Sequence, residues 1–356
     1  MSPCIVVPRL FISVAAAALV SFPAFGQGVE RDIWLHNFRF ATGESLDSLR
    51  MHVVTLGRPR REGSVVRNAV LILHGTTGTG RAFLGRDFAG KLYGRGQPFD
   101  TTRYYVILPD GIGHGKSSKP SDGLRARFPR YDYDDMVRAE ERLLTEGLGV
   151  THLRLVVGTS MGCMHAWVWG TTRPTFADGL VPLACAPTAI VGRNRMWRTL
   201  AVDAVTSDPA WKGGNYTTPP PGLLQAMRPF SLVLGSPLSL QVAYPTREAA
   251  DRYALQSIKT RAASLDANDF IYALGASRTY DPSASLERVT APVLAINFSD
   301  DLVNPPELGL MEKLMPRVKH GKYVLWPITR ATRGHGTHSL PAVWGDTLAA
   351  WMKTLP

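Results

Sequence analysis

The sequence predicts an α/β fold, with a mostly parallel central sheet covered by helices on both faces. Three observations point to it. Short, fully apolar runs recur along the chain and alternate with amphipathic stretches. Between residues 190 and 288 that alternation stops, leaving helical stretches with no clear core strand. A Gly-x-Ser-x-Gly motif lies directly between one apolar run and the helical stretch after it.

At the start of the chain, Arg9 precedes the run LFISVAAAALV at residues 10–20, which is too short to span a bilayer as a helix. Ala24-Phe25-Gly26 offers small residues for cleavage before Gln27. Residues 1–26 are therefore expected to be a signal peptide, and the mature protein to be periplasmic or secreted. Two strand-like stretches follow, 33–40 and 50–56, separated by the turn signal Ala41-Thr42-Gly43. Buried strands are expected at 69–73 (AVLIL), 104–108 (YYVIL), 153–157 (LRLVV), 179–184 (GLVPLA), 292–296 (PVLAI) and 323–326. Helices are expected at 133–146, 163–172, 307–314 and 343–354. The resulting organisation is a core in two parts, 27–189 and 289–356, with 190–288 inserted between them as a largely helical cap.

Composition narrows the functional classes. The 356 residues are 45% hydrophobic, ordinary for a globular chain large enough to bury a core. The formal charge is +11, and loss of residues 1–26 would remove only Arg9 and leave +10. The Lys and Arg are scattered, with short clusters such as Arg58-Pro59-Arg60-Arg61, and no nucleic-acid motif accompanies them. No later stretch is long and apolar enough for stable membrane insertion. Cys4 lies in the signal. Cys163 and Cys185 either pair in an oxidising compartment or sit apart as small buried hydrophobes. Neither has neighbours at zinc-ligand spacing, so no metal and no cofactor is expected.

The chemistry centres on Gly158-Thr159-Ser160-Met161-Gly162. A strand before it and a helix after it are the context of a nucleophile elbow, in which a sharp turn exposes the serine hydroxyl at a helix N-terminus. His74-Gly75-Thr76-Thr77-Gly78 follows another apolar strand and is expected to supply one oxyanion-hole N–H, from Thr76 first and Thr77 second. Met161, the residue after the serine, is expected to supply the other. An acid and then a histidine should follow the nucleophile along the chain. Asp300 and Asp301 end the strand at 292–296, and Asp300, nearer the strand, is the preferred acid. His335, between Gly334 and Gly336 on a loop, is the expected base, ahead of His338. His74 and His114 qualify by residue type only, because both precede the serine. Asp110-Gly111-Ile112-Gly113-His114-Gly115-Lys116-Ser117 looks like a phosphate loop. It carries Asp110 where the pattern needs Gly, and Pro120 interrupts the helix that should follow, so nucleotide binding is rejected.

From about Phe38 onward the chain resembles the homoserine O-acetyltransferase family of the α/β-hydrolases. The resemblance is carried by Gly158-Thr159-Ser160-Met161-Gly162-Cys163-Met164-His165, Phe128-Pro129 with Asp135-Met136-Val137, and Asp208-Pro209-Ala210-Trp211 with Gly213-Gly214-Asn215-Tyr216. Gly222-Leu223, Ser299-Asp300-Asp301-Leu302 and Gly334-His335 complete it. It implies an α/β-hydrolase fold with Ser160 as nucleophile, Asp300 as acid and His335 as base. The family holds its amino acid substrate through an Asp directly after the histidine, where this chain has Gly336. It also carries a cap Arg where this chain has Met227, with Arg228 one place later. The expected activity is therefore acyl transfer through an acyl-enzyme, with hydrolysis of a small ester ahead of acetyl-CoA-dependent transfer to homoserine or another alcohol. A non-catalytic binding module on the same fold would predict a broken triad. The expected partner is a small-molecule ester or acyl donor, not nucleic acid, and a homodimer is left open.

Overall fold

The computed structural model describes residues 28–355. The expected signal at 1–26 lies outside the described residues. Eight strands form one sheet: β1 (Val29–Arg39), β2 (Ser45–Leu56), β3 (Ala69–Leu73), β4 (Tyr105–Pro109), β5 (Leu155–Thr159), β6 (Leu180–Leu183), β7 (Val293–Phe298) and β8 (Gly321–Trp326). Their spatial order is β1-β2-β4-β3-β5-β6-β7-β8. β1 pairs antiparallel with β2, and β2 antiparallel with β4. Every other neighbouring pair is parallel.

The apolar runs reflect burial from two sides. In β3, Ala69, Leu71 and Leu73 join one hydrophobic cluster and Val70 and Ile72 the other. Successive side chains of a strand point to opposite faces, so a strand with both faces covered is mostly apolar and takes a polar residue only where it is hydrogen-bonded, as Asn297 is to Cys185. One face carries helices α2 (Tyr133–Arg142) and α3 (Met161–Thr172), which contribute Met136, Val137, Ala166 and Trp167. The opposite face carries α1 (Arg86–Leu92) and the C-terminal α11 (Pro341–Met352), with Phe88, Leu92, Trp344 and Leu348. β8 closes the sheet at one edge and is only partly buried.

Helix α2 starts at a capping box: Asp132 accepts from the Asp135 amide, and the Asp135 side chain accepts from the Asp132 amide. Asp135 also accepts from Ala41 N at 2.9 Å, which pins the β1–β2 turn to the helix. The expected helix at 133–146 ends as an α-helix at Arg142. Residues 143–147 form a wider π turn that buries both Leu143 and Leu144.

Between β6 and β7 the described residues contain no strand. They form α4 (Gly192–Thr206), α5 (Pro221–Ala226), α6 (Arg228–Val233), α7 (Pro237–Ala243), α8 (Arg247–Ala263) and α9 (Ala267–Gly275). Asn268 ties several of these segments together, accepting from Trp211 Nε1 at 2.9 Å and donating to Gly214 O at 2.9 Å. Beyond β7, the expected helix at 307–314 is broken: α10 (Leu310–Leu314) follows a separate turn at Pro306–Leu308. Left-handed Gly309, φ 60°, stands between them and prevents one continuous helix.

The fully buried indole of Trp344 locks α11 to the sheet and donates to Thr337 O at 3.2 Å. Trp344→Ala should lower unfolding stability by about 3–5 kcal/mol, read from the denaturant midpoint at unchanged slope.

Candidate active site

Ser160 occupies the turn between β5 and α3 with φ 54° and ψ −109°, a strained conformation for a non-glycine residue. The glycines on either side make the turn sterically feasible. A Cβ on Gly158 would strike the Gly162 backbone, and one on Gly162 would strike the Leu73 backbone. Two hydrogen bonds fix the turn: Ser160 N donates to Leu183 O at 2.9 Å, and Gly162 N donates to His74 O at 2.9 Å.

His335 is brought to this serine from 175 residues away, with Nε2 2.8 Å from Ser160 Oγ. Its Nδ1 lies 2.8 Å from Asp301 Oδ2. A carboxylate can only accept here, so Nδ1 carries the proton and Nε2 is left to accept from the serine hydroxyl. Gly334, at φ 60°, lets the histidine loop pass the cap. A Cβ there would stand 2.8 Å from the Gly235 carbonyl carbon.

The aspartate in contact with His335 is Asp301, not Asp300, which corrects the sequence-based choice. Asp301 N donates to Phe298 O at 3.1 Å and closes a tight turn after β7. Its Oδ1 accepts from Val303 N at 2.8 Å and Asn304 N at 3.2 Å. This Asx-type turn aims Oδ2 at the imidazole. Asp300 instead accepts from Gly334 N at 3.1 Å through Oδ2, so it braces the histidine loop by its backbone. Its Oδ1 is buried without a partner among the described residues. Nearness to the strand was the wrong criterion; the Asp301-x-Val303-Asn304 turn pattern was the available signal. Burial alone would raise the Asp301 carboxyl. The charge of His335 and hydrogen bonds from His335, Asn304 and Val303 hold it below the usual carboxylate range.

The loop at 74–78 passes directly over the serine: a Cβ on Gly75 would lie 3.3 Å from Ser160 Cβ and 3.7 Å from Oγ. Thr76 and Thr77 line a cavity together with Ser160 and His335. The Thr76 carbonyl lies 2.7 Å from His114 Nε2. Met161 opens α3, so its N–H has no partner within the helix and faces the same end of the turn.

His74 supports the loop from beneath. Its Nε2 accepts from Gly111 N at 3.0 Å, so Nδ1 donates to Gly75 O at 2.8 Å. Burial, with the neighbouring His114, lowers its pKa to about 3. His338 does not reach the serine; its ring packs edge-on to His335 with centroids 5.0 Å apart. The phosphate-loop look-alike is filled by its own carboxylate. Asp110 accepts from Gly80 N at 2.7 Å and Lys116 N at 2.8 Å.

Two cavities meet at Ser160 and His335. One is lined by Cys185, Asn297, Pro305, Met311 and Tyr323. The other is lined by the 74–78 loop and by Trp197, Phe230 and Leu234 of the cap segment. Cys163 and Cys185, for which pairing and separate burial were both open, form a disulfide with a Cα separation of 6.0 Å. It ties the first turn of α3 to the segment after β6. Among the described residues no helix is long and apolar enough to cross a membrane, and no three His, Cys, Asp or Glu side chains converge as a metal site.

A family profile described as "alpha/beta hydrolase fold" matches residues 68–324. The homoserine O-acetyltransferase of Thermobifida fusca is 30% identical over 312 residues, covering 74% of this chain and 78% of its own. The chain belongs to the homoserine O-acetyltransferase-like family of the α/β-hydrolases. It is therefore an enzyme of the α/β-fold serine hydrolase and acyltransferase group. Solved relatives of this α/β-hydrolase share its fold at lower identity. The Bacillus anthracis homoserine O-acetyltransferase superposes with a TM-score of 0.80 at 21% identity, covering 92% of this chain and 98% of its own. An acetylester hydrolase from Corynebacterium glutamicum superposes at 0.79 with 19% identity, covering 92% and 96%.

Two outcomes follow from the site's surroundings. His74 stays neutral in the fold down to about pH 3 but protonates near its ordinary 6.5 when unfolded. The unfolded state binds the extra proton between those values, so stability falls as pH drops below about 6.5, by at most about 1.4 kcal/mol per pH unit for this group. The buried His114 and His338, also lowered by burial, add to the same trend, so denaturant midpoints measured between pH 7 and 4 should fall with pH, and His74→Gln should make that fall shallower without removing it. Reducing the Cys163–Cys185 disulfide should cost about 3 kcal/mol of stability by the loop-entropy relation, read from melts with and without reductant.

Proposed function

We propose that this enzyme transfers acyl groups through an acyl-enzyme on Ser160 and that its usual acceptor is water, making it a hydrolase of small esters. The 2.8 Å contact between His335 Nε2 and Ser160 Oγ carries the reading. His335 takes the serine proton as Oγ attacks the ester carbonyl carbon. The tetrahedral oxyanion is met by the N–H groups of Met161 and Thr76. As the carbonyl re-forms, the ester C–O bond breaks and His335 returns the proton to the leaving alcohol. Water, deprotonated by His335, then attacks the acyl-serine carbonyl; the acyl C–Oγ bond breaks, His335 returns the proton to Ser160 Oγ, and the acid leaves. Asp301 remains a carboxylate throughout, holding the imidazole tautomer and stabilising the imidazolium.

The surroundings of the site favour water over an amino acid acceptor. Met227 is buried in the apolar cap core, and Arg228 beside it is exposed to solvent. Gly336, in the position of the family's substrate-holding Asp, offers no side chain. A second reading, transfer from acetyl-CoA to homoserine, is favoured by the 30% identical relative from Thermobifida fusca, which is named for that reaction. The disulfide supports export to an oxidising compartment, periplasmic or extracellular, where acetyl-CoA is not expected.

Ser160→Ala should abolish turnover of p-nitrophenyl acetate while leaving the circular dichroism spectrum unchanged; retained turnover would refute the mechanism. Asp301→Asn should reduce kcat by about 10³–10⁴, and Asp300→Asn should reduce it far less. Comparable losses in both would return Asp300 to the acid role. Consumption of acetyl-CoA dependent on homoserine, at a rate matching ester hydrolysis, would select the transferase reading.

A further inference from the structure

We propose that Arg198 forms a carboxylate-binding subsite beside Ser160, so that the ester this enzyme prefers carries a negative charge. The proposal deepens the acyl-transfer reading and rests on it. Arg198 projects from α4 and is only 4% exposed. It lines both cavities that meet at Ser160 and His335.

Its hydrogen bonds to the protein are few and go only to neutral groups. Nε donates to Asn194 Oδ1 at 2.9 Å, and Nη1 donates to Ser277 Oγ at 3.3 Å. The buried Tyr133 hydroxyl also lies against the guanidinium, and among the described residues no ion pair includes Arg198. Of the carboxylates, only Glu312 shares a cavity with it, and Glu312 makes no ion pair with Arg198.

An arginine cannot discard its charge by releasing a proton, and burying an unpaired cation costs several kcal/mol. Burial does lower the affinity of this guanidinium for its proton, in line with that cost. The head group is nevertheless held in place. Asn194, one turn before it on α4, is itself anchored by donating to Val303 O at 3.2 Å. Ser277 donates to Leu274 O at 2.7 Å, and the guanidinium lies 4.7 Å from the Trp197 ring centre. The unused N–H groups thus form a fixed donor fork facing the reaction chamber. The positive charge of Arg195 acts on the same guanidinium, and a planar donor fork in a positive field matches an anion with two acceptor oxygens in one plane, which is a carboxylate. The fork comes from α4, not from the α5–α6 junction where Met227 stands.

Ser160→Ala protein gives a test independent of turnover: its thermal midpoint should rise with added succinate, and the rise should vanish in Ser160→Ala/Arg198→Met. Turnover supplies the second arm. Wild-type enzyme should prefer p-nitrophenyl hydrogen succinate over p-nitrophenyl butyrate, or acetoxyacetate over ethyl acetate. The first preference places the carboxylate on the acyl side, and the second places it on the alcohol side. In Arg198→Met the ratio of kcat/KM between the charged and neutral members of the preferred pair should fall by about 10- to 100-fold. Absence of any succinate-dependent shift in Ser160→Ala, or an unchanged ratio in Arg198→Met, overturns the proposal. If Arg198→Met loses all ester turnover, the thermal shift of Ser160→Ala decides alone. Failure of wild type on every ester would count against the acyl-transfer reading instead, since the thermal shift does not depend on chemistry.

Discussion

The rest of the site depends on how closely the ends of β3 and β5 approach the first turn of α3. Hydrogen is the only substituent that fits at Gly158 and Gly162, because the neighbouring backbone already occupies the space of a Cβ. That closeness forces Ser160 into a positive φ and lifts its hydroxyl clear of the sheet. It also brings the His74 carbonyl onto the Gly162 amide, so the loop that covers the serine is bonded to the helix that carries it. The strain at one residue is held by two strands, a helix and a loop at once.

Charge at this edge of the sheet is arranged in two unlike ways. The Asp301–His335 pair is internally matched: the carboxylate has a cationic partner in waiting, plus amide donors that keep it ionised despite burial. Arg198 is unmatched, with neutral oxygens orienting it and no carboxylate answering it. A matched pair can shift protons during a reaction without outside help. An unmatched cation at the wall of the same chamber favours a bound anion, which on the proposed reading is the carboxylate of the ester.

The disulfide and the cap segment define the walls around that chemistry. Cys163–Cys185 bridges α3 to the end of β6 within three residues of the nucleophile in sequence, and Cys185 itself lines one cavity. Trp197, Phe230 and Leu234 close the other cavity from the cap side. The histidine loop touches the cap at Gly235, where Gly334 passes it without a side chain. A change in the helical segment between β6 and β7 can therefore be felt at His335 directly, through the close approach of Gly334 to Gly235.

The sequence by itself determined the layered architecture and pointed to Ser160 and His335, which the fold brings within 2.8 Å of each other. Strands buried on both faces are mostly apolar, so β3, β4, β5 and β7 stood out as short runs, and the glycines around Ser160 marked a tight turn. His335 followed from chain order. The choice between Asp300 and Asp301 was settled only in three dimensions, because adjacent residues in a tight turn point in opposite directions and the turn's own hydrogen bonds select one. The disulfide was likewise open in sequence, since pairing depends on the distance between α3 and β6. Arg198 carried no local signal at all: it is one arginine among many until folding buries it beside the nucleophile, and burial is what turns a common surface charge into a specific one.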